Sequence, residues 1–111
     1  MQGAAGEGVS MELRIKEITY SDLEGIKIYY RECFTEEYFA ALENGIYKKF
    51  DLIISNPKMG APVKIAKLKH FRWVIEGAYF IFYTLGKDFI SIERIIHTAR
   101  DIKKVLGSNT P

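Results

Sequence analysis

From residue 12 to residue 20, Leu13 and Ile15 alternate with Arg14 and Lys16, and Ile18 and Tyr20 resume the alternation one step out of phase. A period of two predicts a first strand, with a bulge near Glu17 absorbing the shift. Ser21-Asp22-Leu23-Glu24 then has capping-box spacing, in which the serine hydroxyl and the glutamate three positions on satisfy orphan amides. This predicts that a helix starts there. Leu23, Ile26, Tyr30 and Cys33 recur at the helical period, which makes Cys33 a small core residue in this reading. After a break over 32–35, Thr35 is placed to cap a longer second helix, with Glu36 and Glu37 in the first turn where negative charge is favoured. Phe39, Leu42, Ile46, Phe50, Ile53 and Ile54 mark its buried face.

Asn56-Pro57-Lys58-Met59-Gly60-Ala61-Pro62 cannot continue a helix, and beyond it the period changes. Residues 65–68, 71–75, 79–85 and 89–96 are β-branched or aromatic runs, the later ones separated by Glu76-Gly77 and Gly86-Lys87-Asp88. They predict a meander of antiparallel strands. Tyr79-Phe80-Ile81-Phe82-Tyr83 is apolar throughout, as in a central strand covered on both faces or lining a groove on one. Thr98-Ala99-Arg100-Asp101 offers another capping pattern, opening a short helix through Leu106. The predicted fold class is α+β, with two N-terminal helices packed on a small antiparallel sheet and a short C-terminal helix. Trp73, Phe80, Phe82 and Phe89 exceed what one helical layer can bury, which predicts an exposed apolar groove.

A length of 111 residues fits one domain, expected over 12–106 between a flexible N-terminal extension, 1–11, and a flexible tail, 107–111. Residues 1–10 lack the basic region and apolar core of a signal peptide, and no apolar run reaches membrane-spanning length. A cytoplasmic protein without a membrane partner is expected. One cysteine and two histidines exclude an internal disulfide and give no zinc-ligand spacing, so neither a metal nor a cofactor is expected. A net charge of +2 is too mild to announce a nucleic-acid binder, which leaves that argument to local patches.

Two patches qualify. Lys58, Lys64, Lys67, Lys69, His70 and Arg72 crowd one segment beside Phe71 and Trp73, and can grip phosphates or an acidic partner. Lysines that guard an edge strand against pairing explain the same residues. Further on, Arg94, His97 and Arg100 have the chemistry to hold a phosphodiester and move a proton, since arginine binds anionic oxygens bidentately and histidine titrates near neutrality. The plainer alternative is a capped corner, with Asp101 at a helix start and Arg100 paired to a carboxylate such as Glu93. Strand alternation sets Arg94 and His97 on opposite faces, so they converge only across a bulge.

Taken together, Asn56-Pro57 with Gly60, Lys67-Leu68-Lys69, the aromatic run 79–83, and Ile92-Glu93-Arg94-Ile95-Ile96-His97-Thr98-Ala99-Arg100-Asp101-Ile102 resemble the RelE/ParE superfamily of type II toxin–antitoxin toxins. The ParE branch is the nearer, with its N-P-x-x-G helix end, its Y-x-I-F-Y strand and its I-x-R-I-x-H-x-x-R-D-I close. The resemblance implies a toxin that inhibits DNA gyrase by binding, without enzymatic activity, and that a cognate antitoxin neutralises. It implies Lys67, Lys69, Arg72, Trp73 and Arg100 as binding residues, and a homodimer or a toxin–antitoxin hetero-oligomer. The alternative implied by RelE relatives is a ribosome-dependent mRNA endoribonuclease, with ribosome and mRNA as partners, His97 transferring the proton and Arg94 clamping phosphate. No tyrosine follows Tyr83, so the terminal tyrosine of RelE-type toxins is missing.

Overall fold

The computed structural model describes residues 11–107. In chain order the elements are β1 (Glu12–Ile15), α1 (Glu17–Cys33), α2 (Glu36–Ser55), β2 (Ala61–Pro62), a 3₁₀ turn (Ala66–Leu68), β3 (Arg72–Glu76), β4 (Tyr79–Leu85), β5 (Phe89–His97) and α3 (Ile102–Gly107). The strands form one five-stranded sheet in the order β1-β5-β4-β3-β2. The α+β class stands as read from the sequence, but the sheet is mixed, because β1 runs parallel to β5 while the other neighbours are antiparallel. A parallel neighbour requires a long connection, and the helical hairpin together with β2, β3 and β4 supplies it.

The predicted first strand stops early. β1 ends at Ile15, Lys16 donates its amide to the Ile92 carbonyl at 3.1 Å, and α1 begins at Glu17. What reads as a bulge in the alternation is the switch to the helical period, since Thr19, Leu23 and Ile26 are the buried residues of α1. Ser21 therefore lies inside the helix rather than at its cap. Cys33, expected in the core, is exposed. It is the last residue of α1, where the helix has run past the sheet's cover. Thr35 does cap α2, its hydroxyl accepting from the Tyr38 amide at 3.3 Å.

Residues 65–68 are not a strand. Leu68 donates to the Ile65 carbonyl and Phe71 to that of Leu68, at 2.8 and 3.0 Å, so the segment turns tightly. Its apolar residues Val63, Ile65, Leu68 and Phe71 do not alternate, and the turn lets all four meet one surface. The sheet consequently has two covers. On one face Phe39, Ile46, Phe50 and Ile53 of α2, with Leu23 and Ile26 of α1, pack on Val74, Ile81, Tyr83, Ile90, Ile92 and Ile95. On the other, Val63, Leu68 and Leu106 pack on Phe82 and Ile96.

The second cover corrects the expectation of an exposed groove. Phe82 is 2% exposed, Trp73, Phe80 and Phe89 are half-buried, and Arg14 stacks its guanidinium 3.9 Å from the Phe89 ring centroid. Each fully buried aromatic contributes about 1.5–3 kcal/mol by transfer from water, so leaving this face open would be costly. The exposed large apolar side chains lie instead mainly on the helical hairpin, among them Tyr29, Phe34, Tyr38 and Leu52. Gly77 has φ +58° in the turn between β3 and β4, a conformation that disfavours any side chain.

Candidate functional site

β1 is shorter than β5, so its pairing ends at Ile15 opposite Ile92 and leaves the rest of that β5 edge without a strand. The first turns of α1 take over. Thr19, fully buried, donates its hydroxyl to the Ile92 carbonyl at 3.1 Å. Asp22 lies one turn further along the same helix stripe, and its Oδ2 accepts the Ile95 amide at 3.0 Å, as a strand carbonyl would. The same carboxylate grips Arg94 in a fork: Nε donates to Oδ2 and Nη2 to Oδ1, both at 2.9 Å. The side chains of this ion pair are 14% and 13% exposed, and the hydrogen bond to Asp22 foremost holds the Arg94 pKa above its ordinary value.

The β5 bulge lies before Arg94 rather than between Arg94 and His97, which pair in regular register with Phe82 and Tyr79 and so stay on opposite faces of the strand. Phe82 faces Arg94 but Tyr83 faces Ile92, so Glu93 is the extra residue on β5. Arg94, His97 and Arg100 all line one open cleft of about 380 Å³, together with Ser21, Asp22, Tyr29 and Tyr79. His97 accepts the Ala99 amide on Nδ1 at 3.0 Å, an assignment that puts the neutral ring's proton on Nε2, and stands edge-to-face to Tyr79 with ring centroids 5.2 Å apart. The Tyr79 phenol is pushed up to about 12, by burial first and then by the nearby Tyr30. Glu93 does not pair with Arg100: it takes Lys16 at 3.0 Å and the Thr84 hydroxyl at 2.9 Å. Asp101 caps α3 through the Lys104 amide at 3.2 Å.

Tyr83 anchors a second polar constellation at the other end of β4. Its hydroxyl donates to the Pro57 carbonyl at 2.7 Å and accepts the Gly60 amide at 2.8 Å. Burial raises its pKa, against the opposing hydrogen bond from Gly60 and the charge of Arg72. Arg72 Nη1 completes the latch, donating to the carbonyls of Gly60 at 2.6 Å and Lys58 at 3.3 Å. A Cβ on Gly60 would stand 2.7 Å from the Tyr83 hydroxyl and 2.8 Å from the Trp73 carbonyl oxygen, so glycine is the residue that fits. The Asn-Pro-x-x-Gly loop and the last tyrosine of the aromatic strand are thus two halves of one fastening.

Of the binding residues read from the sequence, Arg100 reaches the cleft, while Arg72 is engaged by the loop carbonyls and Trp73 is half-buried edge-to-face on Phe80 at 5.3 Å. Lys67 and Lys69 are exposed in and beside the 3₁₀ turn, among residues that do not line the cleft. Sequence reasoning missed Asp22 and Tyr83. The signal for Asp22 was its place three residues after Thr19 and four before Ile26, which the capping reading of Ser21 obscured. Tyr83 left none beyond its apolar neighbours, because a phenol in such a run reads as core. Among the described residues no group of three or more metal-ligating side chains assembles, and no helix is long and apolar enough to cross a membrane.

The arrangement is a small α+β fold, a helical hairpin on a five-stranded mixed sheet. Its fold is similar to that of the chromosomal ParDE toxin–antitoxin system of P. aeruginosa, with TM-score 0.69 and 17% identity over 81% of this chain and 98% of the other. It is also similar to the RelBE2 toxin–antitoxin complex of Mycobacterium tuberculosis, with TM-score 0.58 and 18% identity over 80% and 99%. The model of the ParE toxin family of type II toxin–antitoxin systems, parDE, matches residues 14–102, and the chain belongs to that family. No curated protein sequence matches it.

Proposed function

We propose that this toxin arrests growth by binding DNA gyrase, that it is not an enzyme, and that a cognate antitoxin holds it inactive in the cytoplasm. The observation that carries the reading is the Asp22 fork on Arg94. A phosphodiester-cleaving centre needs a cation free to meet the scissile phosphate beside a proton-transfer group. Here the arginine nearest His97 in β5 spends two donors on a carboxylate, and the charge it would offer an anion is already neutralised. Tyr83 is committed to the loop latch, and no tyrosine follows it. The family match and the ParDE neighbour favour the same branch. The exposed aromatics of the helical hairpin suit a protein partner, and both neighbours come from toxin–antitoxin systems.

The test is supercoiling by purified gyrase with the full chain added. Supercoiling should fall with toxin dose and recover when the antitoxin is supplied; growth arrest with unchanged supercoiling sinks the reading. A second reading, ribosome-dependent mRNA cleavage, draws support from His97 and Arg100 sharing a cleft with Arg94. In that case His97→Ala should abolish transcript cleavage on translating ribosomes while the fold persists.

A further inference from the structure

The net charge of +2 conceals a strong polarity. Residues 17–55, the helical hairpin, carry eight acidic and four basic side chains, whereas residues 56–107 carry four acidic and ten basic. Within the second half, Arg72 and Arg94 are tied to loop carbonyls and to Asp22, so they offer little charge to the outside. Lys64, Lys67, Lys69, Lys103 and Lys104 differ: all five are exposed, and no side-chain partner holds any of them among the described residues.

They also share a location. Lys64, Lys67 and Lys69 alternate along the chain with Val63, Ile65 and Leu68, and Lys103 and Lys104 are flanked by Ile102, Val105 and Leu106, all members of the cover on the outer face of the sheet. Apolar neighbours anchored in one cluster turn their intervening lysines outward over one side of the molecule. The acid carried on these two segments is Asp101, which accepts the Lys104 amide at the start of α3. Among the described residues, none of the exposed large apolar side chains belongs to the 61–71 segment or to α3.

We infer that this lysine face is a docking surface for the phosphodiester backbone of duplex DNA, since a single strand asks for exposed aromatic platforms that the 61–71 segment and α3 do not offer. A peptide partner is recognised through apolar anchors seated in pockets, and the 61–71 segment and α3 offer charge without exposed large apolar side chains. A polyphosphate backbone asks for the reverse, separated point cations at intervals and no side-chain pockets. The helical hairpin, acidic and rich in exposed aromatics, is left to protein contacts. The inference stands on the charge distribution and is independent of the proposed target, since the test contains no gyrase.

The experiment is fluorescence anisotropy with the full chain on labelled duplex DNA, single-stranded RNA and poly-glutamate of matched length, titrated with salt. Four or so neutralised phosphates predict an affinity for duplex DNA that falls about a hundredfold between about 50 and 200 mM salt. The double variant Lys67→Gln with Lys104→Gln should reduce that dependence to about tenfold. A control pair on the hairpin, Lys27→Gln with Lys48→Gln, removes the same charge and should leave the dependence unchanged. Binding of duplex DNA in this pattern supports the inference, and tighter binding of the single-stranded RNA overturns it. Absence of binding, equal effects of the two double variants, or equally tight binding of poly-glutamate overturns it. All four positions are exposed, so unchanged thermal unfolding certifies each variant's fold.

Discussion

The two faces of the sheet both bury apolar side chains and are very differently covered. The inner face meets two long helices that bring Phe39, Ile46, Phe50 and Ile53 as a continuous stripe. The outer face meets a turn and a six-residue helix, which together supply Val63, Leu68 and Leu106. Two polar fastenings are added to the covers: the Asp22–Arg94 fork joins α1 to β5, and the Tyr83 hydroxyl with Arg72 pins the loop from α2 to β2. Thick and thin layers therefore do the same job by different means. Helices bury area by repetition, whereas short segments rely on a few well-placed side chains and on the loop that leads into them.

If that contrast is right, truncation should expose it first. Phe50→Ala, on the inner face, should cost about 4 kcal/mol, because two helices and a sheet cannot collapse into the space, while Leu106→Ala should cost about 2 kcal/mol as α3 settles inward. Urea midpoints measure both, and equal losses would erase the distinction between the covers. The fastenings come next. Asp22→Ala strands a largely buried guanidinium and an unpaired Ile95 amide, and should cost about 3 kcal/mol, with Arg94→Ala similar and the double variant well short of additive. Tyr83→Phe leaves the Pro57 carbonyl and the Gly60 amide unsatisfied and should cost about 1–3 kcal/mol, loosening the loop without unseating the helices. Hydrogen exchange at the Gly60 amide, faster in Tyr83→Phe and unchanged in Asp22→Ala, would separate the two fastenings.

The smallest effect at neutral pH belongs to Tyr79. Its folded pKa of about 12 lies above its ordinary value of 10.0, so the neutral phenol is the form the fold favours. The stability it contributes is fully present below pH 10 and is lost as pH rises through 12. Denaturation midpoints should therefore fall across that window, and Tyr79→Phe should flatten part of the fall while leaving the midpoint at pH 7 nearly unchanged.

The helical stripe of α2, its Thr35 cap and the run of β4 were legible because each is a long local pattern with one period. The strand at 12–20 was misread where the pattern changed period, since Ile18 and Tyr20 continue an alternation by identity while being exposed on a helix. Residues 65–68 look β-branched enough for a strand, yet tertiary burial of Leu68 from a tight turn decided otherwise. That Arg94 and His97 share a cleft with no bulge between them was not legible, because it depends on a β5 edge left without a neighbouring strand. Asp22 was hidden for a related reason. Its partner is far away in the chain, and single-sequence patterns carry no long-range pairing.

β1 lies beside β5, with Glu12 opposite Phe89. A ribosome delivers β1 well before its neighbour β5, and the Asp22 fork waits for Arg94 in the same way. Until then the hairpin of helices has emerged without the sheet that buries its stripe. A product truncated before β5 is therefore left without this fold, and the toxin becomes a folded object only once β5 has been read.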